Sequence, residues 1–123
     1  MLTTIVRILL GLLLLFAGLN KFFGFAPNPP HNEAAAAFLG ALAATGYMMP
    51  LIGFFEAACG LAFVSGRYVG LAAVLLVPIA LNIALFHLRL DMAGAGPGLF
   101  VAIANAYLLA VNLPKYREML STN

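Results

Sequence analysis

Glu56, Asn82, Asn105, His87, Lys21 and Arg89 are the residues of this chain whose types could do chemistry. A carboxyl, two primary amides, an imidazole and two cations can hydrogen-bond a polar head group, hold a proton and stabilise negative charge. Their setting is what singles them out. Glu56 lies within residues 51–64, an apolar run with seven Leu, Ile, Phe and Val residues. A carboxylate at the centre of a membrane helix costs roughly 2.5–3.5 kcal/mol, while each large apolar residue returns about 0.3–0.6 kcal/mol. Glu56 therefore nearly cancels the run that carries it and needs neighbouring helices for shelter. An intramembrane carboxyl is a functional candidate by default.

The composition agrees with a membrane setting. The 123 residues are 64% hydrophobic and 8% charged, with mean hydropathy +1.06. Soluble domains carry about 25% charged residues, and one this small has too much surface to hide such apolar content. The chain reads as a single integral membrane domain, residues 1–123. With Cys59 the only cysteine, an intramolecular disulfide, a CxxC pair, an iron–sulfur cluster held by this chain alone and a cysteine zinc site are excluded. Two histidines, His31 and His87, are too few for an evident metal cage, so no metal is expected. A formal charge of +2 gives no reason to expect nucleic acid.

The elements that must position these groups follow from hydropathy. Residues 3–23 form a first span, since about 20 apolar residues cross the ~30 Å hydrocarbon core. Arg7 ahead of an apolar stretch also fits a signal peptide, but no convincing small-x-small cleavage site follows and Asn20-Lys21-Phe22-Phe23 continues the helix. Arg7, Gly11, Leu14, Gly18 and Lys21 share one face, on which the glycines would admit another helix closely. Residues 24–32 read as a loop, and Asn32 as the N-cap of a short helix over 33–45 with Glu33 in its first turn. That helix is too short to span, and reads as interfacial or re-entrant, resting on Phe38, Leu39 and Leu42. Further spans cover 47–65, 69–90 and 98–113. The second and third are joined as a tight hairpin, Pro78 predicts a kink in the third, and 91–97 form a turn. The prediction is an all-α antiparallel four-transmembrane-helix bundle with a short extra helix in the first outer loop.

Arg7, Arg67, Lys115 and Arg117 fall on one side of this arrangement, and Lys21 and Arg89 on the other. The positive-inside rule then puts both termini in the cytoplasm. Tyr47, Tyr68 and Tyr116 fall near helix ends, as interfacial anchors would. At ~1.5 Å rise per residue, Glu56, Asn82 and Asn105 each lie about eight or nine residues from the outer helix ends. They share a depth, with His87, Arg89, Asn20 and Lys21 above them toward an outer mouth.

Each group also has a plainer reading. Asn82 and Asn105 can be interhelical hydrogen bonds, at about 0.6 kcal/mol each. Lys21, Arg67 and Arg89 can be interfacial anchors. Cys59 reads as a small core residue and His31 as a solvated loop residue, whereas His87 at a membrane mouth can titrate.

The opening Arg-Ile-Leu-Leu-Gly with the later Gly-Leu-Asn-Lys-Phe-Phe-Gly, the mid-helix Gly-Phe-Phe-Glu-Ala-Ala-Cys-Gly-Leu and the third-span Asn-Ile-Ala-Leu-Phe-His resemble the DoxX family of small bacterial membrane proteins. The resemblance covers nearly the whole chain. It implies four transmembrane helices in the bacterial inner membrane, with associations to a thiosulfate:quinone oxidoreductase subunit, membrane oxidoreductase complexes and the quinone or oxidative-stress response. Lys21, Glu56, Asn82 and His87 stand where the family's polar positions stand.

The expectation is a quinone- or redox-associated membrane subunit with a polar intramembrane site around Glu56. Quinone is the cofactor or ligand considered, and a small hydrophobic ligand, a redox partner protein or a second copy of the chain are the partners, besides the bilayer. Whether the chain is itself an enzyme or a non-catalytic subunit of a quinone-linked oxidoreductase is left open. The alternatives are a proton-coupled binding or transport module and a purely structural or assembly subunit.

Overall fold

The computed structural model describes residues 1–25 and 31–121, so part of the predicted 24–32 loop lies outside the described residues. Five α-helices occur in order: α1 (Leu2–Phe23), α2 (Glu33–Ala44), α3 (Met48–Ser65), α4 (Val69–Arg89) and α5 (Ala95–Val111). No strand occurs among the described residues. The first, third and fourth of these, and the helical stretch Met92–Val111, are long and apolar enough to cross a membrane. Between 22% and 33% of each hydrophobic window is buried in protein. Leu9, Leu12, Phe16, Phe54, Leu71 and Ile103 are among the large apolar side chains left on the outside. Lipid must cover that surface, so this is a multi-pass integral membrane protein.

The tightest packing is between α1 and α3, which run antiparallel. A methyl group added at Gly18 would stand 2.6 Å from Gly53 O and Ala57 N, and one at Gly11 2.9 Å from Gly60 O. Gly60 reciprocates, its added methyl falling 2.7 Å from Leu15 N. Backbone therefore meets backbone, as small residues permit in membrane helices. Arg7, one turn before Gly11, donates to Phe63 O and, at 3.4 Å, to Val64 O. Its cation thus satisfies carbonyls at the C-terminal end of α3, where the helix dipole favours positive charge. Gly66 ends α3 at φ 77°, a left-handed conformation that permits the tight turn into α4.

The bundle is solid at the end where α3 turns into α4. Leu10 and Leu14 of α1, Phe63 of α3, Leu76 of α4 and Leu108 of α5 are essentially inaccessible there. Cys59 belongs to this core, its thiol donating to Ala72 O at 3.5 Å. Tyr116 joins it as well. The expected interfacial anchor is buried instead, and its hydroxyl donates to Gly70 O at 2.7 Å, tying the C-terminal turn to the start of α4.

The other end is hollow. There α2 bridges the bundle: Asn32 caps it by accepting from Ala35 N at 2.8 Å and also donates to Leu90 O at the end of α4. Phe38 packs on Phe86 with ring centres 5.7 Å apart. The turn predicted over 91–97 is shorter than expected, because helix resumes at Ala95 after a 3₁₀ turn over Met92–Gly94. Pro97 sits in the first turn of α5, where a missing N–H costs no intrahelical bond.

Two glycine substitutions separate these regions. Gly18→Ala forces the α1 and α3 backbones apart and should cost about 1–3 kcal/mol. Gly40→Ala on α2, where an added methyl meets nothing within 4 Å, should be neutral or stabilise by about 0.5–1 kcal/mol. Unfolding in detergent micelles checks the contrast.

Candidate functional site

Lys21 reaches Glu56 because a glycine clears its path. An added methyl at Gly53 would lie 3.1 Å from Lys21 Cβ, so the lysine stem crosses α3 one turn before the carboxyl. Its Nζ then lies 2.6 Å from Glu56 Oε1. The Glu56 side chain is 4% exposed and that of Lys21 is 27% exposed. The pair is the answer to the insertion problem that Glu56 poses: the buried charge has an opposite charge and a hydrogen-bond donor in contact. Lys21 also sits in the last turn of α1, where a cation opposes the helix dipole favourably.

The pair lines a cavity of about 750 Å³ in the hollow half of the bundle. Its floor lies at the level of Leu14, Leu75 and Val101, and α2 contributes Phe38, Leu39 and Leu42 from above. Lys21 and Glu56 lie on the wall made by α1 and α3, Asn82 and His87 on the wall made by α4. Nearly everything else on the walls is apolar, including Met48, Met49, Ile52 and Phe55. Pockets for drug-sized ligands run about 300–1,000 Å³ and combine apolar walls with a few convergent polar groups.

The polar residues distribute unevenly. Asn82 donates from Nδ2 to Pro78 O in its own helix at 2.8 Å, so it bridges no second helix through that bond. Asn105 does: its Nδ2 donates to Ala73 O at 3.0 Å, joining α5 to α4 inside the core. It does not line the cavity, and its Oδ1 is buried without a partner among the described residues. Arg89 is exposed and also stands apart from the cavity. Lys21, Glu56, Asn82 and His87 are thus brought together, whereas Asn105 and Arg89 are not.

Two residues at the mouth carry more than their sequence suggests. Asp91 is buried, with its Oδ2 3.4 Å from His31 Nδ1 and 3.8 Å from His87 Nδ1. His31, expected to be solvated, keeps a side chain only 17% exposed and packs edge-on against Phe86. The i,i+4 spacing of His87 and Asp91 was a usable signal for half of this cluster. Nothing local in the sequence connects His31 to it, since that contact depends on where α2 docks. Among the described residues, no group of His, Cys, Asp or Glu side chains has the makings of a metal site.

Removing one partner of the central pair should be far worse than removing both. Lys21→Met leaves a buried, uncompensated carboxylate and should cost about 3–5 kcal/mol, with much of the loss recovered in Lys21→Met/Glu56→Gln. A double-mutant cycle on unfolding in micelles measures this.

No curated protein and no solved structure gives a match to the chain. The family model DoxX matches residues 2–89, from the start of α1 to the end of α4, and so takes in both walls of the cavity and all four of its polar side chains. The match covers most of the chain, and the chain belongs to the DoxX family.

Proposed function

We propose that the cavity binds a lipid-soluble small molecule with a polar head, that a quinone fits it best, and that the protein serves as a quinone- or redox-associated membrane subunit. The observation that carries this reading is the pairing of Lys21–Glu56 on one wall with Asn82 and His87 on the facing wall of an otherwise apolar cavity. A quinone or hydroquinone head has oxygens on opposite sides of a ring, each of which needs a hydrogen-bond partner. Lys21 is a charged donor on one side, and His87 a donor or acceptor on the other. The apolar remainder suits a ring and its tail. Asn82 is exposed and lines the cavity, so the cavity is open beside α4, which favours a ligand arriving from the bilayer.

No side chain of the chain carries electrons, so oxidation or reduction of the ligand would fall to a redox partner or to the quinone itself. The packed half of the bundle beneath Leu14 and Leu76 weighs toward binding over transport, because it offers a single copy no route onward. In this reading the protein lies in the bacterial inner membrane with both termini in the cytoplasm, as the excess of Arg7, Arg67, Lys115 and Arg117 favours.

Purified protein in lipid nanodiscs should bind a short-tailed quinone saturably. Glu56→Gln and Lys21→Met should weaken binding about tenfold or more, the scale of one charge-assisted hydrogen bond. Wild-type protein that takes up no quinone would falsify the reading. For orientation, Ser121→Cys in a Cys59→Ala background should react with an impermeant maleimide only after cells are opened.

A further inference from the structure

His87 is held by contacts that fix which of its nitrogens can face a ligand. Nδ1 lies 3.1 Å from the backbone carbonyl of Asp91. A carbonyl only accepts, so the neutral imidazole keeps its proton on Nδ1 and leaves Nε2 with a bare lone pair. Nε2 has no hydrogen-bond partner among the described residues, and it is not a buried, unsatisfied atom in the way that Asn105 Oδ1 is. The ring's Cδ2–Nε2 edge lies on Gly98 of α5. A methyl added there would come within 2.2 Å of Cδ2 and 2.6 Å of Nε2. Gly98 and His87 both line the cavity. Asp91, which sets the ring's tautomer, is itself held between the two imidazoles.

From this we infer that His87 Nε2 is a hydrogen-bond acceptor that makes the cavity select ligands whose head carries a hydroxyl, the phenol or hydroquinone class, over the same skeleton with that hydroxyl blocked. The inference rests on the ligand-binding reading of the cavity and adds to it which form is preferred. A quinone carbonyl, an acceptor, finds no donor at neutral His87. A hydroquinone hydroxyl does find an acceptor there, and an unmet lone pair in an apolar wall discriminates strongly against a ligand that cannot fill it. The titratable groups around His87 are Asp91 on its own connection, His31 ahead of α2, and Lys21 and Glu56 across the cavity. The stretch of α5 against it supplies Pro97, Gly98 and Val101, none of which titrates.

The test uses full-length protein in nanodiscs under anaerobic conditions above neutral pH. Three probes share one short tail: a hydroquinone, its dimethyl ether and the corresponding quinone. The hydroquinone should bind about tenfold tighter than the ether, a difference of one hydrogen bond to a buried acceptor. His87→Phe should bring the two probes to parity. Gly98→Ala, which displaces the ring and keeps the imidazole, should shrink the preference while the protein stays folded. Imidazole ¹⁵N spectra, simple with two histidines, should show an unprotonated Nε2 and a protonated Nδ1 in ligand-free protein. Equal binding of hydroquinone and ether, a preference that survives His87→Phe, or the opposite tautomer overturns this inference and leaves the binding reading standing. If none of the three probes binds wild-type protein, both fall.

Discussion

Gly11 and Gly18 of α1 lie against Gly60 and Gly53 of α3 with little or no room for a methyl group at any of the four positions. The approach of these two backbones sets the geometry on which the rest of the protein depends. Apolar side chains gain nothing from each other over lipid, so association in the bilayer relies on close packing and polar contacts. Here the same contact supplies both. It brings Arg7 to the end of α3 and Lys21 to Glu56, closing the two ends of one helix pair with charge. A methyl group at Gly53 would press on the lysine stem, and displacing that stem would leave the carboxyl unpaired among apolar neighbours.

The division of the bundle into a solid and a hollow half follows from side-chain size and connection length. Near the α3–α4 turn, alanines 72 and 73, Cys59 and Ala104 let the helices close around Phe63 and Leu76. At the other end, α3 and α4 are separated in sequence by their full lengths and the space between them is left to α2 and to whatever occupies the cavity. Glu56 sits at the boundary, with packed core on one side and cavity on the other. A charged pair on the wall of an apolar cavity is costly for stability and useful for orienting a ligand head.

Much of this was legible in the sequence, for physical reasons that can be named. Hydropathy located the spans because a bilayer imposes length and apolarity directly. The i,i+7 glycines on α1, in line with Lys21, announced a close helix contact. Asn32 followed by Glu33 announced the cap of α2. Depth counting brought Glu56, Asn82 and Asn105 to one level, but depth says nothing about azimuth. Asn105 turns into the α4–α5 contact and Asn82 back onto Pro78 O, and neither is the partner of Glu56. Tyr116 reads as an anchor in the sequence because an aromatic near a helix end gives no sign of whether the chain folds back beneath it. His31 reads as solvated in the sequence because its contact with Asp91 joins segments 60 residues apart.

What fills the space between Lys21–Glu56 and the α4 wall decides what the cavity is for. A structure determined by electron cryomicroscopy in nanodiscs made from native lipid measures it most directly. The result expected is non-protein density with a compact head between Glu56 and His87 and a tail leading out past apolar side chains. A cavity closed by the side chains of α2, or filled by lipid acyl chains with no head group at Lys21, would contradict it.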